Sequence, residues 1–270
     1  FRPSVQLGMA LFACERAYGE SGSWDDALKL LNIPLPDKKA QVVGNYLADD
    51  GGFAILRKGS AMAMVRYPRF EFRPSHADVL HLDFWLNGQN ILRDSGTYSY
   101  NNESHWLNYF SGTESHNTIQ FDDRDQMPRL SRFLFGDWLR TSSLEKIREK
   151  DGKTSFGAGY VCRRGISHYR RISLSSSSLL VDDEIKGFKG KAELRWRLAP
   201  GKWEIVQEDG GIKTRSLDFP EFSLSVNASA PWVRCELRKG WESLHYFEKM
   251  SLPVLEIETR SACSLITEVR

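Results

Sequence analysis

The chain has no C-x-x-C pair, no run of about 18 apolar residues and no basic tract, and each absence removes a class of function. Without cysteines at ligand spacing, zinc-finger and thioredoxin-like readings fall away. The four cysteines (Cys14, Cys162, Cys235 and Cys263) neither require nor forbid disulfides. Cys14 lies in an apolar helical pattern and reads as a small core residue. Without a long apolar run, no transmembrane helix is expected. Charge is nearly balanced, with Lys+Arg 37 against Asp+Glu 35 and a net charge of +2. The electrostatic footprint of a nucleic-acid-binding protein is therefore missing, and affinity for an acidic polymer must come from local patches. No internal repeat and no signal peptide is visible. The first residue is Phe1, not Met, and the chain reads as beginning inside a longer protein.

What is present is an ordinary globular composition, 41% hydrophobic and 27% charged over 270 residues. That length buries a substantial core, and all-β domains of this size often stay single. Leu7, Met9, Ala10, Leu11, Cys14, Ala17 and Tyr18 recur at helical spacing between Val5 and Tyr18. After a Gly/Ser break, Ser23 with Asp26 reads as the capped start of a short helix over Trp24–Leu31, stopped by Pro34 and Pro36. Beyond about residue 40 no long helical period returns, and short strand-like runs between turn residues take over.

Phe53–Arg57 and Ala61–Arg66 flank the turn residues Lys58, Gly59 and Ser60. Leu80, Leu82, Phe84 and Leu86 alternate with His81, Asp83 and Trp85, giving one apolar face and one polar-aromatic face. Asn87-Gly88 follows as a hairpin turn, with Ile91-Leu92 in the returning strand. Leu194–Leu198, Trp203–Val206 and Ile212–Arg215 continue the pattern, with Pro200-Gly201 and Gly210-Gly211 as turns. Ser175–Ser178 reads as the solvent-facing part of a strand or turn. The fold class is mainly β: a large antiparallel β-sandwich, residues 37–270, behind a short helical segment, residues 1–36.

The chemistry gathers between Arg73 and Arg132. His76, His81 and His116 lie within about 22 positions of Asp94. Two imidazoles and a carboxylate suit a divalent metal of zinc type, with room for water or a substrate oxygen. Two readings of the imidazoles are open. A two-residue Asn87-Gly88 loop pairs Leu86 with Gln89 and sets His81 opposite Asp94, about 5 Å away. His76 would then be five positions further along, within reach only if the strand bends or bulges.

Three pieces of sequence in this order carry a resemblance: His76-Ala77-Asp78, Asp94-Ser95-Gly96-Thr97-Tyr98 and Ser115-His116-Asn117-Thr118. Together with Tyr169-Arg170-Arg171-Ile172 and Leu179–Gly187, they resemble the C-terminal part of the heparinase II/III-like polysaccharide lyases. The resemblance covers roughly residues 50–190. It implies a β-sandwich behind an N-terminal α/α toroid, of which residues 1–36 would be the terminal helices and the remainder would lie outside this chain. It implies a metal, zinc, held by His76, Asp94 and His116, and on that ground His76 is preferred to His81. It further implies an acidic, uronic-acid-containing polysaccharide as partner, a carbon–oxygen lyase activity of the whole protein, and a periplasmic or secreted location.

One position departs from the pattern. Pro74 stands where such lyases carry the first His of His-x-His, and proline exchanges no proton. The fragment alone is therefore expected to be inactive, and no catalytic residue is assigned. β-Elimination needs the C5 carboxylate neutralised, a base for the C5 proton and an acid for the C4 oxygen. Tyr98, Tyr100 and His105 are candidate substrate contacts near the metal residues, as is Tyr109, each equally readable as a sandwich or loop residue. Arg69, Arg73, Arg124, Arg129 and Arg132 are candidates for a basic rim. The tryptophans are expected in cores, and Asp122-Asp123-Arg124-Asp125 in a turn of mixed charge. A catalytically weakened, polysaccharide-binding relative and a structural sandwich with a stapling metal are the alternatives to a lyase.

Overall fold

The computed structural model describes residues 2–208 and 211–270, so Gly210 of the expected Gly210-Gly211 turn lies outside the described residues. The chain divides into two compact units, residues 1–44 and 45–270. In the first, α1 (Arg2–Ala13) is followed by a single 3-10 turn, Ser23–Asp25, and α2 (Asp26–Leu30). The helix expected to reach Tyr18 stops at Ala13 because Cys14 turns into the left-handed region at φ 53. Cys14 is exposed there, not a core residue. Buried Gln6 organises this unit, donating to Asp25 Oδ1 (2.6 Å) and accepting from the Ala17 N–H (2.8 Å). Asp25, one position before the expected Asp26, takes the Gly22 N–H through its other oxygen.

Among the described residues, the second unit holds nineteen strands and one α-helix. In chain order they are β1 (Tyr46–Ala48), β2 (Phe53–Lys58), β3 (Ala61–Arg66), β4 (Leu82–Leu86), β5 (Gln89–Leu92), α3 (Ser104–Ser111), β6 (Ile119–Phe121), β7 (Arg129–Ser131), β8 (Leu134–Phe135) and β9 (Thr141–Lys150). There follow β10 (Lys153–Val161), β11 (Ser167–Leu174), β12 (Leu179–Lys186), β13 (Ala192–Arg197), β14 (Trp203–Glu208), β15 (Gly211–Ser216), β16 (Ser223–Ala228), β17 (Trp232–Glu242), β18 (Met250–Thr259) and β19 (Cys263–Val269). These strands pair antiparallel, as the alternating sequence predicts for sheets buried on one face.

One sheet of eight strands, ordered β14-β15-β16-β19-β12-β11-β10-β9, forms one layer of the sandwich. Facing it are β1 to β5 in sequence order and a four-stranded sheet ordered β17-β18-β13-β6. These two are stitched together where Leu92 bridges Leu198 and the Arg93 N–H donates to Arg197 O (2.9 Å). Leu56, Val65, Phe84 and Leu194 share a buried cluster with Phe156, Ile172 and Val181 of the eight-stranded sheet. Trp196 is fully buried and donates from Nε1 to Thr267 Oγ1 (3.1 Å), joining β13 to β19.

Asn87 (φ 51) and Gly88 (φ 79) make the expected two-residue turn, and Leu86 pairs with Gln89. A bulge between Phe84 and Trp85 then moves the register, so that Phe84 faces Leu92. Leu80, expected within the strand, instead has φ 60, and β4 starts only at Leu82. The Ser175–Ser178 run forms the β11–β12 turn through Ser175 Oγ, and Asp122 (φ 53) and Asp123 (φ 55) occupy the expected mixed-charge turn.

The loop after β5 is fastened to the β17–β18 connection by a bridge between Gly96 and Ser243 and by the Ser243 N–H donating to Ser95 O (2.7 Å). Gly96 has φ 71, and a Cβ there would collide with the Ser243 carbonyl oxygen. Replacing Gly96 by Ala therefore combines left-handed strain with a backbone clash. The expected loss is ~2 kcal/mol, read as a lower urea midpoint at unchanged m-value.

Candidate metal centre

Three loops deliver the cluster expected from the sequence. His76 and His81 lie between β3 and β4, Asp94 directly after β5, and His116 after the 3-10 turn Thr113–Ser115 that follows α3. The left-handed Leu80 aims the next residue inward, and backbone bonds from His81 N to Asp78 O (2.9 Å) and from Arg66 N to His81 O (3.0 Å) hold it. Asn117 is wholly buried. Its amide group donates to Leu82 O (2.9 Å) and Arg93 O (3.2 Å) and accepts from the Arg197 N–H (2.6 Å), tying the cluster to β4, to the end of β5 and to β13.

The protons on the imidazoles follow from their partners. Asp94 can only accept, so the 2.7 Å contact from His116 Nδ1 to Asp94 Oδ2 puts the His116 proton on Nδ1 and leaves Nε2 a lone pair. That Nε2 faces His76 Nδ1 at 3.4 Å, while His76 Nε2 meets the Thr97 hydroxyl at 3.2 Å. The Asn117 N–H can only donate, and it does so to His81 Nδ1 at 3.0 Å. Neutral His81 therefore carries its proton on Nε2, which is buried, without a hydrogen bond, and 3.4 Å from Asp94 Oδ2. Asp94 Oδ1 accepts the Gly96 N–H at 2.6 Å.

The residues that come within 4.8 Å of one another are His81, Asp94 and His116, and His76 joins them through His116. The approach of His81 to Asp94 is the one that hairpin spacing predicts, although the bulge shifts the ladder beneath it. Proximity and chemistry then point to different histidines. Held by the Asn117 N–H, His81 offers an N–H, whereas His116 Nε2 presents a lone pair to His76 Nδ1, which donates to it in one tautomer and offers a second lone pair in the other. Two nitrogens on one tetrahedral zinc lie about 3.3–3.4 Å apart when each is about 2.0–2.1 Å from the ion, and the observed 3.4 Å fits that edge. A carboxylate bound to the far nitrogen of a ligating histidine is the usual support for such a site. With its proton on Nε2 toward Thr97, His76 could hold a divalent cation together with His116, with Asp94 behind His116 and His81 behind Asp94.

His76 also borders a cavity of about 300 Å³ lined by Arg73, Pro74, Thr97, Tyr98, Tyr100 and Arg132 among others. Tyr98 is buried there against Trp106, Phe110 and Phe247, with Lys249 Nζ 4.5 Å above its ring. Tyr100 is exposed and packs edge-on against Phe133. His105 lies on α3, pairs with Glu103 (3.2 Å) and stacks on Trp106, away from the cavity lining. Tyr109 is structural: its hydroxyl accepts from the Trp241 N–H (2.8 Å) and from Arg197 (3.1 Å). Of the expected basic rim, Arg73 and Arg132 reach this cavity. Arg124 and Arg129 line a second cavity, of about 370 Å³, and Arg69 pairs with Asp49.

The sequence profile described as "Heparinase II/III-like, C-terminal" matches residues 44–246. The chain belongs to that family. Among solved structures, this heparinase II/III-like chain is similar to a heparinase III, with 17% identity, a TM-score of 0.68, and coverage of 90% of this chain and 38% of that one. A second heparinase III shows 15% identity and a TM-score of 0.67, covering 92% and 43%. The heparan sulfate lyase HepC of Pedobacter heparinus shows 15% identity and a TM-score of 0.69, covering 100% and 41%. No curated protein matches the sequence. The heparinase II/III-like chain thus spans about two-fifths of the length of the solved lyases it resembles, and shares with them a fold.

Within the heparinase II/III-like sandwich, burial and neighbouring charges set the carboxyls apart. Burial opposes the ionised form of Asp94, but the charges of His116 and His81 and the His116 hydrogen bond outweigh it and hold Asp94 well below the usual range. Burial also lowers His76, aided by His116, and pushes His81 down to about 4. Asp83 goes the other way. Burial, reinforced by the Asp94 charge, pushes it up to about 7, and its Oδ1 has no hydrogen-bond partner. Folding thus favours protonated Asp83. That contribution is complete below about pH 4, where the unfolded carboxyl is also protonated, and is withdrawn as pH rises through about 7. Asp83→Asn should therefore stabilise the metal-free protein by ~3 kcal/mol at pH 8 and by almost nothing at pH 4. Urea unfolding of both proteins at the two pH values checks this, and an equal effect at both would contradict it.

Proposed function

We propose that this heparinase II/III-like chain is the sandwich side of a lyase for an acidic, uronic-acid-containing polysaccharide, and that its His76–His116–Asp94 cluster holds a divalent ion, zinc. The observation that carries the reading is the 3.4 Å facing of buried His116 Nε2 and His76 Nδ1, with His76 on the wall of a cavity that Arg73 and Arg132 also line. When bound, zinc supplies positive charge to offset a substrate carboxylate. Asp94 orients His116 and keeps its proton on Nδ1, and Thr97, whose hydroxyl can accept as readily as donate, can take the proton of His76 on Nε2 and so leave Nδ1 to the ion. Arg73 and Arg132 add guanidinium donors suited to planar carboxylates, and Tyr100 offers an exposed ring for stacking on a sugar. None of these groups replaces the proton-carrying histidine absent at Pro74, so the acid and base are assigned to the toroid half of the whole protein. Pro74 also supports a second reading, a relative that binds the polysaccharide without cleaving it.

Metal analysis of the purified full-length protein should find about one zinc per chain, lost in His76→Ala and His116→Ala. His81→Gln should keep the zinc, because glutamine reproduces both the acceptor for Asn117 and the donor toward Asp94. Zinc loss in His81→Gln, with zinc kept in His76→Ala, would reverse the ligand assignment. Incubating the full-length protein with heparan sulfate and alginate, and following ultraviolet absorbance of the unsaturated product, separates cleavage from binding. Glycan binding without absorbance change in wild type, and activity gained in Pro74→His, would establish the second reading.

A further inference from the structure

Arg170 is buried inside the sandwich on β11, opposite Asp183 of β12. Its guanidinium donates from Nε to Asp183 Oδ1 (2.7 Å) and from NH2 to Asp183 Oδ2 (2.9 Å), while its plane lies 4.9 Å from the Trp196 ring. His168 Nε2 donates to the same Asp183 oxygen at 2.7 Å. An Arg–carboxylate pair this deep is costly to desolvate and only weakly stabilising when complete, so its worth lies in what else it grips. The remaining nitrogen, NH1, donates at 2.6 Å to two backbone carbonyls, Leu80 O and Asn117 O. Leu80 immediately precedes His81, and Asn117 immediately follows His116.

We infer that Arg170, clamped by Asp183, is a positioning residue for the metal cluster: from the opposite sheet it fixes the two backbone segments that aim His81 and His116. The inference rests on the reading of that cluster as a zinc site, but its geometric core does not. Leu80 sits in the left-handed region, which an L-residue with a bulky side chain adopts only when its surroundings hold it there. The grip on its carbonyl is such a hold. The same nitrogen holds the carbonyl of Asn117, the residue whose N–H, one peptide earlier, fixes the His81 tautomer. A single donor thus spans both arms of the cluster. Lysine at this position would be a point charge, unable to keep two bonds on Asp183 and two on the carbonyls together.

The test compares Arg170→Lys and Asp183→Asn with Ile172→Val, a buried change on the same strand that touches neither carbonyl, in the full-length chain. Two readouts are taken. The first is zinc affinity by chelator competition, expected to fall by about 10–100-fold in the first two variants and to stay unchanged in the third. The second uses metal-free protein: ring-nitrogen NMR of labelled histidines, in which wild-type His81 shows the Nε2–H form and the Arg170 and Asp183 variants show a mixture. If wild type binds no zinc, the ligand assignment fails and the NMR comparison alone decides the positioning role. Should Arg170→Lys fail to fold, Asp183→Asn carries the same comparison. Variants that only melt earlier, with His81 and zinc affinity as in wild type, would overturn the inference.

Discussion

The hydrogen bond from the Asn117 N–H to His81 Nδ1 is the constraint on which the cluster turns. A backbone N–H never accepts, so this contact leaves neutral His81 with its proton on Nε2, facing Asp94. The Asp94 carboxylate in turn takes the Nδ1 proton of His116 and leaves the His116 Nε2 lone pair facing His76 Nδ1. The Asn117 side chain meets two carbonyls and one N–H from β4, the residue after β5, and β13. Buried amides of this kind are costly when half satisfied and specific when complete. Here the complete network makes the position of His116 a property of the sandwich, not of its own loop.

Much of the frame was legible because its signals are local. Asn87-Gly88 requires positive φ at both positions, and the alternation through Leu82, Phe84 and Leu86 fixes which face of β4 is buried. The motifs around His76, Asp94 and His116 name three of the four residues that meet. The geometry added His81, which spacing had singled out for a reason only partly right: the Phe84/Trp85 bulge alters the ladder, and the left-handed Leu80 restores the approach. Both depend on tertiary packing, which no short window reveals. Which nitrogen of His81 carries its proton depends on the identity of a hydrogen-bond partner 36 residues away.

Other parts were illegible for the same reason. Arg170 reads as one more charge in a strand of mixed polarity, and period-2 spacing places it inward without saying that a charge can live there. It can because Asp183 stands opposite in register, a fact of strand pairing and not of either sequence segment. Cys14 fits a helical period, yet the helix ends before it. The short helix α3 escaped notice because it is only eight residues long and half aromatic, with no capping side chain to announce it.

The bridge between Gly96 and Ser243 bears on how the molecule comes into being. The residues that offer imidazole and carboxylate are all made by position 116, but the groups that hold them in place, Arg170, Asp183, Arg197 and Ser243, come later in the chain. On a ribosome, the motifs would emerge well before anything exists to arrange them. Contacts this distant in sequence form slowly, because loop closure must precede them. A nascent chain would therefore carry its histidines exposed and unshaped through most of synthesis, and the cluster would take its geometry only in the last act of folding.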